Sequence, residues 1–180
     1  MTDKELPNDS LIEIAVIGSI IIYPHKYNDI AKYIVSDKVW YESKCKILWN
    51  ILSAMIKRRE HIDIMTVSSN LNDGDYINGV DNVFVVDCSN RCGSETTVEL
   101  YAKKIYEKYL LRLVIDHAKD IEKNAMDNKA DALDTLVSAH TSIGELINLR
   151  PDSTFDINVA LGDAIESIQN TDKLLIKTGF

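Results

Sequence analysis

Apolar residues recur along this chain at helical spacing, in runs separated by short polar breaks. The first run, Leu11 to Tyr23, sets Leu11, Ile14, Ala15, Gly18, Ile21 and Ile22 on one stripe. Ile12, Val16, Ile17 and Ile20 cover much of the remaining circumference. A helix apolar nearly all round is wrapped by others, so this segment is expected in a core. Asp9 or Ser10 supplies its N-cap, because a short side-chain oxygen accepts the free N–H groups of the first turn. Pro24 fits a position just past the end. Gly18 inside a helix costs about 1 kcal/mol against Ala. Close approach of a neighbouring helix is the expected reason, ahead of a hinge.

Lys26 to Val35 reads as a short amphipathic helix. Ser43 to Arg59 carries Ile47, Leu48, Ile51, Leu52, Met55 and Ile56 at helical spacing, and Arg58, Arg59 and Glu60 end it in solvent. Asp63 is expected to cap a short helix through Met65, Val67 and Leu71. LNDGDYING, Leu71 to Gly79, reads as a polar turn region. VFVVDC, Val83 to Cys88, fits either a short strand or a buried helical turn, and run length does not decide.

From about Glu95 to Met126 there is neither Gly nor Pro. Val98, Ala102, Ile105, Tyr109, Leu110, Leu113, Val114, His117 and Ile121 keep an apolar seam along a helix of roughly 45 Å. Asp127 to Asp131 is a polar break. A second helix to about Leu149 spaces Leu133, Leu136, His140, Ile143 and Ile147 by threes and fours. Two long helices joined by a short polar turn form an antiparallel hairpin. One face is covered by the partner helix, and the other asks for another body or chain. Tyr109, Leu110, Leu113, Val114, His117, Ile121, Leu133, Leu136 and His140 are therefore the candidate subunit interface. Arg150 to Asp156 reads as a linker, after which Ile157, Leu161, Ala164, Ile165 and Ile168 share one face of a last helix. An amphipathic helix standing alone after a linker is suited to docking in a partner's groove. The chain ends in NTDKLLIKTGF without a helix stop and reads as cut from something longer. The expected fold class is all-α. It comprises a globular head over 1–93, the hairpin over 94–149, and a linker with its docking helix over 150–180.

Composition narrows the function more than the fold. A chain of 180 residues, 46% hydrophobic and 27% charged, suits one domain or one domain with an appendage. The formal net charge of -8 opposes the chain as a DNA-backbone binder, which needs Lys and Arg against phosphate. The start, MTDKELPND, is more acidic than basic, and Glu13 interrupts a run far short of the ~20 apolar residues a spanning helix needs. No membrane association and a cytoplasmic location are expected. Cys45, Cys88 and Cys92 make an odd count, which suits reduced thiols. Cys88 and Cys92 lack the second Cys/His pair of a structural zinc site.

Catalytic signatures are missing: no GxxxxGK(S/T), GxGxxG, HExxH or GxSxG. His117 and His140 sit on the two seams. A metal or pH-sensing pair is weighed there against histidines satisfied locally or exposed at the seam's edge. The second reading is preferred, because no carboxylate lies at ligand spacing beside both. Tyr101, Tyr106 and Tyr109 interleave with Lys103, Lys104, Lys108 and Arg112 in a pattern that suits base stacking. Glu99, Glu107, Asp116, Asp120 and Glu122 cancel that charge, so a salt-bridged face with aromatics filling the seam is expected instead. No catalytic, cofactor or metal residue is assigned.

Four segments, in order, carry a resemblance. They are Leu6-Pro7 with Glu13, Ala15 to Gly18 (AVIG) and Pro24; HIDIMTV, His61 to Val67; LYAKKIYEKYLLRLVI, Leu100 to Ile115; and Thr178-Gly179-Phe180. Together they resemble the N-terminal domain and linker of bacterial or phage replicative DNA helicases of the DnaB type. Gly93 and Thr97 stand where that family often has Pro and Asn, and the loop around Asp73 to Asp81 departs from its pattern. The resemblance implies a helical head and a hairpin that pairs with a neighbouring subunit's hairpin. It also implies a linker helix docking on the adjacent ATPase domain of a hexamer. In the family such heads form a collar of paired subunits that supports the hexamer and recruits primase. ATP and Mg then belong to a downstream domain, DNA is met only through the parent assembly, and this fragment is neither an enzyme nor cofactor-dependent. Two other readings remain: a standalone helical adaptor, such as a helicase loader or decoy, and a small helical enzyme. The last is weakest, because no reactive group has an activating partner. A reading frame continuing past Phe180 into a GxxxxGK(S/T) loop separates the first reading from the adaptor.

Overall fold

The computed structural model describes residues 5–127, 131–147 and 149. Among these, every regular element is helical: α1 Ser10–Ile22, α2 Tyr27–Ala31, α3 Ser43–Lys57, α4 Ile64–Ser69, α5 Asp73–Ile77, α6 Asn82–Asn90, α7 Val98–Ala125 and α8 Ala132–Ile147. Short 3-10 turns at Pro24–Lys26 and Asp37–Val39 join the early helices. The chain divides into two compact units after Thr135.

In the first unit α1 is the central strut. Asp9, not Ser10, is its cap: its Oδ1 accepts the Ile12 N–H at 3.2 Å. Val16, Ile17 and Ile20 are fully buried, whereas Leu11 and Ile22, at the two ends of the expected stripe, are exposed. Gly18 marks a close approach. A Cβ there would sit 1.8 Å from the Cys88 carbonyl oxygen, so α6 rests directly on the bare backbone of α1. VFVVDC is helix, the body of α6. Val85 and Cys88, at i and i+3, turn inward and are fully buried, while Val83 turns out.

Short elements surround this pair. The expected helix over Lys26 to Val35 shortens to a 3-10 turn followed by α2, which buries Ile30. In α3, Cys45, Leu48, Leu52 and Met55 are fully buried. Trp49 stacks on Tyr27 at 5.0 Å between ring centroids and meets Trp40 at 5.7 Å. Asp63 caps α4 as expected, with Thr66 completing a reciprocal capping box. LNDGDYING holds a helix where a turn was expected. Asn72 accepts from Gly74 and Asp75, Asp75 accepts from Asn72, and Gly79 follows at φ 76.

The first three turns of α7 belong to the head, since Val98, Ala102, Ile105, Tyr106 and Tyr109 lie in its core. The boundary expected at 93/94 therefore falls inside a packed unit. Ser19, buried in α1, ties down the approach to α7: its hydroxyl donates to the Ala15 carbonyl and accepts the Gly93 N–H at 3.1 Å.

Two buried charges hold the segment before α3. Glu13 accepts the Tyr41 and Glu42 N–H groups, each at 2.9 Å. Arg112 of α7 donates to the carbonyls of Pro7 (2.9 Å), Val39 (2.7 Å) and Lys38 (3.1 Å), and lies over the rings of Tyr41 and Tyr109. Burial pushes the Glu13 carboxyl above its ordinary value, against the pull of the two N–H groups and Arg112. Both residues sit inside the sequence segments that carry the resemblance. Their role is to satisfy backbone groups that burial takes from water.

Candidate partner-binding surfaces

Helix α8 begins on Asp131, whose Oδ1 accepts the Leu133 and Asp134 N–H groups at 2.9 and 3.0 Å. None of its residues is buried. Leu133, Leu136, Val137, Ile143 and Ile147 all stand exposed, and so does His140. With Gly144 spaced from Leu133, Leu136 and Ile147 at helical intervals, the helix carries a broad apolar stripe.

The expected interface residues on α7 fall into different environments. Tyr109 is a correction. It is buried in the head, 6.0 Å from the ring of Tyr106 and beneath Arg112, so it serves the core and has no outward face to offer. Leu110 and Leu113 are half-buried against the same core. His117 and Ile121 are half-buried, and Val114 is exposed. The docking residues Ile157, Leu161, Ala164, Ile165 and Ile168 lie outside the described residues.

Some surface residues escaped the sequence reading. Leu100 and Leu111 are exposed on α7, and Val137 on α8. Spacing gives a signal for Leu111, three residues before Val114, and for Val137, four after Leu133. A second exposed apolar face lies on α5 and α6, where Tyr76, Ile77, Val83 and Val86 point outward. It was missed because Leu71 to Gly79 read as a polar turn.

The tyrosines do not form a stacking platform, because Tyr106 and Tyr109 are buried and Tyr101 is half-buried. Glu99 instead pairs with Lys32, as a solvated face predicts. Cys45 and Cys88 are buried free thiols, and burial raises the Cys88 thiol to about 12. Among the described residues no three His, Cys, Asp or Glu side chains gather as a metal site, and no helix is long and apolar enough to cross a membrane.

Known proteins give this architecture a place. Residues 5–107 match the family model described as DnaB-like helicase N terminal domain. The replicative DNA helicase DnaC of Bacillus subtilis (strain 168) is 28% identical over 187 residues, covering 100% of this chain and 41% of that protein. The replicative DNA helicase DnaB of Rhodothermus marinus is 24% identical over 161 residues, covering 88% and 17%. The chain thus spans less than half the length of either relative. Among solved structures, the N-terminal domain of DnaB helicase from Mycobacterium tuberculosis superposes with a TM-score of 0.68 at 17% identity, over 78% of this chain and 99% of that one. A second solved structure, "The Structure Of A DnaB-Like Replicative Helicase And Its Interactions With Primase", gives 0.62 at 16% identity over 88% and 35%. These two share the all-helical fold. Because the family match covers more than half of its length, this chain belongs to the DnaB-like helicase N-terminal domain family.

Proposed function

We propose that this chain is the collar module of a replicative DNA helicase, holding subunits together and offering primase a docking surface. The observation that carries the reading is α8, a 16-residue helix with five large apolar side chains exposed and none buried. Such a face is unfavourable in water and calls for a second chain. Support for the helicase comes from the family match and from the Bacillus subtilis relative. Support for primase comes from the described interactions of the second solved neighbour. In this reading α8 and the outer half of α7 pair with the same elements of a neighbouring subunit. The segment over 150–180 tethers the collar to an adjacent ATPase domain through Ile157, Leu161, Ala164, Ile165 and Ile168. ATP and Mg act on that ATPase domain, so the collar itself catalyses nothing. DNA is reached only through the assembled ring, in the cytoplasm.

Sedimentation velocity at high micromolar concentration tests the assembly. The chain is expected to run as a dimer or larger species. Leu136→Ser with Ile143→Ser is expected to weaken association by at least about a hundredfold, because each buried aliphatic side chain contributes about 1.5–3 kcal/mol. A wild-type chain that stays monomeric refutes the reading. Calorimetric titration with primase tests the second half, and absence of binding refutes it.

A further inference from the structure

We propose that the α5–α6 face is a docking site for a basic, amphipathic helical segment of a partner protein. Four large side chains define it. Ile77 is 85% and Val83 75% exposed, with Tyr76 and Val86 beside them. The Tyr76 hydroxyl donates to Asn82 Oδ1 at 3.2 Å, which joins α5 to the first turn of α6. Val83 and Val86 then continue the patch along one side of α6.

The patch is not a loose loop. The Asn72–Asp75 capping box fixes the start of α5, and Asp81 fixes the start of α6 by accepting the Phe84 N–H at 2.8 Å. On its inner side α6 is held by Val85, Cys88 and the backbone contact at Gly18. A surface ordered before binding loses little entropy when a partner arrives. Nothing in the core requires Ile77 or Val83 to be apolar, since both project into solvent.

Charge identifies the occupant. Residues 71–90 hold Asp73, Asp75, Asp81 and Asp87 and no Lys or Arg. Asp87 is paired with Arg91 at 2.8 Å and Lys44 lies over the Phe84 ring at 5.3 Å, so Asp73, Asp75 and Asp81 supply the acidic rim, in excess of the one lysine. An apolar centre with an acidic rim is complementary to apolar residues flanked by Lys and Arg. A second copy of the same face would set aspartate against aspartate across a two-fold contact. Nucleic acid is opposed by the same charge.

The test is an NMR titration of the isotope-labelled chain with a helical Leu/Lys peptide, its leucines at i, i+3, i+4 and i+7. Shifts are expected to gather on α5 and the first turns of α6. Ile77→Ser with Val83→Ser is expected to weaken binding at least tenfold. Asp73→Lys, which leaves the apolar patch and both caps in place, is expected to weaken it less, and added salt to weaken it further. Circular dichroism checks that each variant stays folded. Four results overturn the proposal: shifts gathered on α8, equal binding by the Ile77/Val83 variant, equal binding of a Leu/Glu peptide, or loss of self-association in that variant. The last identifies the occupant as a second copy. The collar reading is decided separately, by sedimentation of the α8 variant and by the primase titration.

Discussion

Gly18→Ala and Gly144→Ala make the same chemical change on two helices and are expected to move stability in opposite directions. At position 18 the new methyl would sit 1.8 Å from the Cys88 carbonyl oxygen and 2.5 Å from its carbon. A relaxed C···O contact is about 3.3 Å or more, so α6 must retreat on the order of 1.5 Å. The obstacle is backbone, so no side-chain rotation relieves it. The retreat also draws Val85 and Cys88 out of the core, where a gap of even ~1 Å forfeits up to about half of each contact's attraction. Strain and unpacking together cost about 3–5 kcal/mol, and the better helix propensity of Ala returns about 1. The net loss is about 2–4 kcal/mol, a fall in Tm of roughly 5–15 °C. At position 144 nothing lies within 4 Å, so the propensity gain of about 1 kcal/mol stands alone. Urea unfolding followed by tryptophan fluorescence reports the first change, since Trp40 and Trp49 both lie in the head's core. Far-UV circular dichroism reports the second as added helicity in α8. A Gly18→Ala protein within 0.5 kcal/mol of wild type, on the order of an ordinary surface substitution, refutes the close-approach argument.

Two further outcomes are expected. Glu13→Ala removes the acceptor of two backbone N–H groups and a charge facing Arg112. Relief of the buried charge offsets part of the loss, leaving a destabilisation of about 2–4 kcal/mol by urea unfolding; a loss under about 1 kcal/mol counts against the role assigned to it. Asp63 is held below its ordinary 3.8, first by the Thr66 N–H it caps, so its stabilisation is full above 3.8 and is lost as pH falls through the lower folded value. Glu13 runs the other way: raised from 4.5, first by burial, its ionisation removes part of the head's stability as pH rises through the folded value, while its two backbone hydrogen bonds remain. Asp63→Asn keeps the capping oxygen and is expected to remove the acid-side loss, read as a flatter stability profile as pH falls below 3.8.

Elements with a strong local signal were legible in the sequence. A cap at Asp9 or Ser10 and the apolar wrap of α1 needed no distant partner, nor did the cap at Asp63 or the Gly- and Pro-free length of α7. Most of what stayed hidden depended on residues far away in the chain, and α5 on a local ambiguity. VFVVDC lies in α6, capped by Asp81 and closed onto Gly18 of α1, a contact that period and run length do not encode. α5 was hidden because a capping box in a polar segment has the composition of a turn. Glu13 and Arg112 gave partial signals, a lone carboxylate in an aliphatic run and a lone arginine beneath a seam. Their partners are backbone groups, which sequence does not label. Tyr109 kept perfect seam spacing yet faced the head, because the first three turns of α7 pack into the head's core.

The bond from Arg112 to the Pro7 carbonyl joins residues 105 apart, and it turns the head into a closed ring of chain. Helical domains usually fold on local contacts and fold fast. Here one clasp must wait for nearly the whole head to be synthesised and gathered, with a closure entropy that grows as the logarithm of the loop. The clasp also lies beyond the matched stretch ending at residue 107. A version cut there would keep every residue of the family match and still lose the pin that fastens the first segment of the chain to α7.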